Sequence, residues 1–282
     1  MMDKIQAIKI KDLHPFPDNP FKVVDGEELD LLAESIKEYG VISPLLVRPR
    51  DGGGYEVIAG HRRLKACELA GIENIPAFVR DMDRDTAIIA LVDSNLHREH
   101  LLPSEKAFAF KMKFEAIKHQ GQRTDLATVQ VAPKWSTEII GEEQGISKDQ
   151  VKRYIRLTEL IPDILTMVDS GQIALSPAVE LSFLRVEEQQ NLLETMQSED
   201  CTPSHAQAIR MKKLSQENSL DMDAIFTILT EVKPNQQEQI KLKKDSIKRY
   251  FPKDYTTKQM EEIIVKLLEQ WQRKRQQNRD IR

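Results

Sequence analysis

Strand signals crowd into the first 80 residues and nearly vanish after Asp81. That asymmetry points to a small α+β domain with helices behind it. Ile5–Ile10 reads as a short strand, and Leu13–Phe21, broken by Pro15, Pro17 and Pro20, as a loop. Leu29, Leu32, Ala33 and Ile36 fall on one face of a helix over Glu27–Tyr39, with Gly40 as its stop. Pro44–Val47 and Tyr55–Ala59 are strands joined by the turn Asp51–Gly54. Gly60 then leads into a helix over Arg62–Ala70, and Ile75–Val79 is one more strand.

Behind Asp81, helices are expected at Asp85–Asn95, from Pro103 to about His119, at Thr137–Glu143, Lys148–Leu160, Pro162–Val168 and Pro177–Leu184, and less clearly over Gln189–Met211. Gly121–Lys134 reads as a polar loop. The domain plan is therefore 1–100, 101–211, a polar linker over 212–223, and a helical C-terminal module over 224–282. Two or three domains suit a chain of 282 residues. No apolar run approaches the ~20 residues that cross a bilayer, and the opening residues hold no apolar signal core. Cys67 and Cys201 make no disulfide framework. The expectation is a cytoplasmic protein with no membrane partner.

The net charge of −4 averages unlike parts. From Lys241 to Arg282 there are 13 Lys and Arg against 6 Asp and Glu, so the rest of the chain is acidic. Local patches decide phosphate binding, and the overall balance does not exclude nucleic acid.

The densest local patch lies in TEIIGEEQGISKDQVKRYIRLTEL, residues 137–160. A helix ends at Gly145, a tight turn follows, and Ser147 with Gln150 forms an S-x-x-Q capping box for a second helix. Val151, Ile155 and Leu157 point inward, while Lys148, Gln150, Lys152, Arg153 and Arg156 point outward. Two short helices about a glycine turn make a helix-turn-helix, whose second helix enters a major groove. Basic residues suit phosphates, and Gln150 and Arg153 suit base edges. A solvated helix of an all-α bundle is the plainer alternative, although Asp149 is the only acid in Lys148–Arg156.

In YEVIAGHRRLKA, residues 55–66, a strand runs into Gly60 and two arginines open a helix. Free N–H groups at a helix start favour an anion, and Arg62 and Arg63 add planar donor forks. The alternative is two surface arginines that the helix dipole slightly disfavours. In VDSNLHREHLLPSEKA, residues 92–107, polar groups cluster between two helices. His97 and His100 lack the further ligands of a metal site. Cys67 reads as core. Asp51–Gly54 lacks the Lys-Ser/Thr of a P-loop, which leaves a hairpin turn.

These segments, with IKIKDLHPFPDNPF, GVISPLLVRP and IPAFVR in the same order, resemble the ParB family of plasmid and chromosome partition proteins, in a variant like those of mobile elements. The resemblance covers about residues 5–190. It implies an α+β N-terminal ParB/sulfiredoxin-like domain, an all-α helix-turn-helix domain and a helical C-terminal module. It implies a homodimer that binds a palindromic, centromere-like site on double-stranded DNA as a CTP-gated clamp, with a ParA-type ATPase as partner. By position Gly60, Arg62 and Arg63 match the family's G-E-R-R phosphate motif. Asn95 and Arg98 match its E-N-x-Q-R motif, and Gly40, Pro44 and Leu45 the segment beside the cytosine. Ser147, Lys148, Gln150, Lys152, Arg153 and Arg156 would carry the DNA contacts.

There are departures. The family's glutamate linked to hydrolysis is His61, the glutamate linked to Mg²⁺ is Ser94, and the usual Gln before Pro44 is Ser43. Asp93 is the adjacent carboxylate that would rescue a metal. CTP binding is expected and CTP hydrolysis is placed in doubt. A transcriptional regulator or nucleoid-occlusion relative, binding DNA without nucleotide gating, is the neighbouring reading. Independent catalysis of sulfiredoxin or nuclease type fits poorly, because Cys67 sits inside a helix and carboxylates are few. The stripe Met260, Ile263, Ile264, Leu267, Leu268 and Trp271 either pairs with its twin or packs near Tyr250, Phe251 and Tyr255. The basic end, with Arg273, Lys274, Arg275 and Arg279, is a solvated tail or a non-specific DNA contact.

Overall fold

The computed structural model describes residues 5–98, 100–123, 133–231, 250–252 and 255–280. Contacts divide the chain into two units, Met1–Glu231 and Val232–Arg282.

Five strands form one mixed sheet: β1 (Ile5–Lys9), β2 (Leu13–Pro15), β3 (Leu45–Pro49), β4 (Tyr55–Ala59) and β5 (Asn74–Val79). The order is β1-β5-β3-β4-β2. β3 and β4 are antiparallel across the glycine turn, whereas β3–β5 and β4–β2 are parallel. β2 lies inside the expected loop. Its three residues end at Pro15 and pair with β4 at the sheet edge, where a proline costs no ladder bond.

Helices cover both faces. On β4, Val57 joins the core made with α1 (Glu27–Tyr39) and α2 (His61–Ala70). Its neighbour Ile58 faces the other way, as strand alternation requires. It joins Leu91 and Val92 of α3 (Arg84–Leu96), Phe110 of α4 (Pro103–Arg123), Ile140 of α5 (Pro133–Gln144) and Val151 of α6 (Lys148–Arg156). Two-sided burial explains why Glu56, Val57 and Ile58 are buried in succession. The boundary expected at residue 100 therefore runs through a continuous core.

A third core gathers α7 (Pro162–Asp169), α8 (Leu175–Leu181), α9 (Val186–Ser198), α10 (His205–Gln216) and α11 (Met222–Thr230). This corrects the expected linker. Within 212–223, Ser215 is buried and donates to Glu188, Leu220 is buried, and α11 adds Ile225, Ile228 and Leu229 to the core. The segment is polar on its outer face only, so composition alone misread it. The C-terminal module accordingly begins after Glu231 rather than at 224. The expected loop Gly121–Lys134 is also shorter than read, since its first three and last two residues are helical. Residues 124–132 lie outside the described residues. The helix over Lys148–Leu160 ends at Arg156 and continues as a 3-10 turn, Leu157–Glu159.

In the second unit, α12 (Thr257–Asp280) starts on a Thr256–Gln259 pair: the Gln259 N–H donates to the Thr256 hydroxyl, and the Thr256 N–H to the Gln259 side chain. Met260 is buried, and Leu267, Leu268 and Trp271 are more than half exposed. The side chains of Lys274, Arg275 and Arg279 lie outside the described residues. Among the described residues, no helix is long and apolar enough to cross a membrane.

Candidate functional site

Gly60 joins β4 to α2 with φ +103°, a value that side chains rarely tolerate. A Cβ there would lie 2.3 Å from a Leu45 methyl and 3.2 Å from the Arg63 guanidinium. The first turn of α2 has no side-chain cap and no acid. Its N–H groups and the positive end of the helix dipole are left for an anion. Beside it opens a cavity of about 630 Å³. Gly60, His61, Arg62 and Arg63 line one wall, and Ser94, Asn95 and Arg98, at and just beyond the end of α3, line another. Residues some 30 positions apart in sequence thus share one space. Glu28, Leu31 and Leu32 of α1 complete it, and the sequence reading missed all three for this role.

Arg63 donates to the backbone carbonyls of Ser43 and Pro44. That contact ties the Ser43–Leu45 segment to the wall of the cavity, whereas Gly40 serves as the C-cap of α1, its N–H donating to Ile36. Arg62 pairs with Glu28 at 3.0 Å. Asn95 is buried and donates to the Leu91 carbonyl at 2.8 Å and to the Ser94 hydroxyl at 3.1 Å. Burial lowers the Arg63 and Arg98 pKa values; for Arg98 the Glu105 carboxylate opposes that shift and the Arg62 charge adds to it. His61 is 8% exposed, and its Nε2 has no hydrogen-bond partner among the described residues. Burial, then the Arg98 charge, pushes its pKa down to about 4, against a ring N–H donated to the Val57 backbone. The imidazole is neutral at neutral pH.

Asp93 does not take the expected metal role. One residue turns a helix by about 100°, so Asp93 faces α4 when Ser94 and Asn95 face the cavity. It is ion-paired to Lys113, which is 1% exposed and also holds Glu143 of α5. Among the described residues there is no group of three or more His, Cys, Asp and Glu placed to hold a metal. Ser94 supplies a hydroxyl only, so the donors present do not fit a hard divalent cation. His97 and His100 are exposed and Glu99 lies outside the described residues. Cys67 is fully buried, its thiol pKa raised by burial, as a core residue should be.

The helix-turn-helix lies across the second core. Gly141 of α5 allows a close crossing: a Cβ there would meet the Ile146 carbonyl at 2.7 Å. Gly145 turns the chain at φ +64°. Ser147 caps α6 by accepting from the Gln150 N–H at 3.2 Å, and only this half of the expected capping box forms. Val151 and Leu157 are buried and Ile155 half-buried, as expected. Tyr154 joins them, with its ring edge-on to Phe110 at 5.7 Å.

On the outer face, Lys152 and Arg153 are exposed and Gln150 half-exposed. Arg153 donates to the Ser176 hydroxyl of α8 at 2.7 Å, and Lys148 pairs with Glu138 at 2.6 Å. Arg156 departs from the expected outward set. It turns back, donates to the Ser182 hydroxyl at 3.1 Å and carbonyl at 2.6 Å, and lies 4.1 Å over the Phe183 ring. Its planar fork and flat face suit that pocket.

A family model described as ParB N-terminal domain matches residues 1–96. The chromosome-partitioning protein Spo0J of Thermus thermophilus is 32% identical over 207 residues, 73% of this chain and 70% of that protein. The probable chromosome 1-partitioning protein ParB of Deinococcus radiodurans is 36% identical over 176 residues, 62% of this chain and 54% of that protein. Two solved structures of C-terminally truncated ParB from Caulobacter crescentus also match. One, complexed to the centromeric parS site, has a TM-score of 0.43 at 21% identity, covering 80% of this chain and 100% of that one. The other, complexed with CTP-gamma-S, has a TM-score of 0.32 at 28% identity, covering 64% and 92%. With a relative of this identity matched along more than two thirds of its length, over an N-terminal domain that the family model also matches, the chain belongs to the ParB family of partition proteins.

Proposed function

We propose that this chain is a site-specific DNA-binding partition protein whose N-terminal cavity takes CTP. The observation that carries the reading is the meeting of Gly60, Arg62 and Arg63 with Asn95 and Arg98 around one cavity at an uncapped helix start. Guanidinium forks and free backbone N–H groups are the chemistry that holds phosphates. The Caulobacter proteins named above were solved with parS DNA and with CTP-gamma-S, and family membership supports carrying both ligand classes here.

In this reading α6 lies in the major groove. Lys152 takes a phosphate, and Gln150 and Arg153 face base edges. A palindromic site calls for a two-fold protein. The exposed Leu267, Leu268 and Trp271 of α12 supply an apolar face for a second copy. A ParA-type ATPase is the expected partner, and the place of action is the cytoplasm, on nucleoid or plasmid DNA. Turnover of CTP is weak or lost. His61 and Ser94 replace the two carboxylates linked to it, and a buried imidazole of pKa about 4 is a feeble base at neutral pH.

The test has two arms. The purified chain is titrated with each labelled ribonucleoside triphosphate, and separately mixed with pooled genomic fragments whose retained members are sequenced. Selective CTP binding and enrichment of one palindrome are expected. Equal binding of all four nucleotides, or fragments retained without a shared sequence, would sink the corresponding half. Enriched sites within promoters would favour a transcriptional regulator over a partition protein.

A further inference from the structure

The charges around the cavity do not balance. Arg62, Arg63 and Arg98 bring three guanidinium groups to its wall. Among the described residues lining it, Glu28 is the only carboxylate. Arg63 rests on the Ser43 and Pro44 carbonyls, which are dipoles and not charges. Arg98 lies 5.8 Å from the Phe21 ring centre. The Glu105 carboxylate, outside the lining of this cavity, partly offsets its charge, and Arg62 adds a like charge. Burial lowers the pKa of both Arg63 and Arg98.

The opposite shortage holds for a cation. Mg²⁺ is held by carboxylates and substrate phosphates in a strict octahedron. Asp93 is taken by Lys113, the Ser94 hydroxyl donates to the Leu91 carbonyl at 2.9 Å, and Glu28 is engaged by Arg62. The Glu28 side chain is 86% exposed. Exposed ion pairs are weak, so a phosphate can displace that carboxylate at small cost.

We propose that this cavity binds the polyphosphate of its nucleotide without a divalent cation, and that Glu28 is an internal counter-ion which the ligand's phosphate displaces from Arg62. The inference rests on the reading of the cavity as a nucleotide site. Three guanidinium groups then do the neutralising that a metal does elsewhere. Glu28 keeps Arg62 in place and partly neutralised until a ligand arrives.

The test is calorimetric titration of the full chain with CTP, in excess EDTA and again in saturating Mg²⁺, for the wild type and for Glu28→Gln. Glu28 is exposed, so the variant keeps its fold, which circular dichroism checks. Wild-type dissociation constants within about threefold of each other in the two buffers are expected, with Glu28→Gln tighter by about two- to fivefold in both. A loss of about tenfold or more in EDTA overturns metal independence, and an unchanged or weaker Glu28→Gln overturns the counter-ion role. Absence of binding in both buffers overturns the nucleotide reading itself and this inference with it.

Discussion

Around the cavity, Arg62, Arg63 and Arg98 face one carboxylate among the described lining residues. Along α6 and its neighbours the cations already have partners within the chain. Lys148 is paired with Glu138, Arg156 with Ser182 and Phe183, and Lys212 with Glu180 and Phe183, while the exposed Lys152 and Arg153 meet only Asp149 and the Ser176 hydroxyl. The contrast teaches that a basic residue in a motif is a ligand contact only if the fold has not already used it. The lining of the first region holds more cations than carboxylates. The second is close to balanced, so DNA must compete with internal bonds for all but its most exposed cations.

The largest expected effect comes from the most fully committed cation. Lys113→Ala should cost about 3 kcal/mol in urea unfolding, because it empties a buried site and strips two ion pairs. Lys113→Met refills the volume and should recover part of that loss. If Lys113→Ala unfolds like the wild type, the buried bridge does not stabilise the fold.

A second test separates the regions by pH. His61 has a pKa of about 4 in the fold against an ordinary value of 6.5. Below pH 6.5 the unfolded chain takes a proton that the folded chain refuses. The stability due to this residue is therefore complete above pH 6.5 and lost as pH falls toward 4, by about 3 kcal/mol in all. Urea midpoints measured from pH 7 down to 4.5 should fall more steeply for the wild type than for His61→Leu. Parallel curves would show that the imidazole is not buried in its neutral form.

The smallest effects split two arginines of one helix. Arg156→Ala should lower stability by about 1–2 kcal/mol through its lost hydrogen bonds and ring contact. Arg153→Ala should leave stability within about 0.5 kcal/mol and weaken the specific DNA complex by about 1–3 kcal/mol, with little change on random DNA. If the two variants behave alike in both measurements, the division between used and available cations fails within α6.

Much of this architecture is legible before any coordinates. Gly40, Gly60 and the Asp51–Gly54 turn mark their element ends, because positive-φ positions select glycine. The helix-turn-helix shows through Gly145, Ser147 and the apolar spacing of Val151 and Leu157. What stays hidden depends on distant neighbours. Glu28 reads as an ordinary first-turn acid, and only the packing of α1 on α2 brings it to Arg62. Arg156 has the spacing of an outward residue, and nothing local announces Ser182 and Phe183 as its partners. Asp93 and Ser94 are adjacent in sequence and diverge by about 100° around the helix, which sends one to Lys113 and the other to the cavity.

The shared core beneath the sheet has a practical consequence for anyone recombining such proteins. A chimera that swaps the helices behind the sheet at residue 100 sets Phe110, Ile140 and Val151 of one parent against Ile58, Leu91 and Val92 of the other. It also separates Asp93 from Lys113. A seam after Glu231 cuts neither. Residues 1–231 are thus the smallest cassette that can be exchanged without repacking its interior, and under the proposed function new DNA specificity is better sought by changing Gln150 and Arg153 within it than by transplanting α5 and α6 alone.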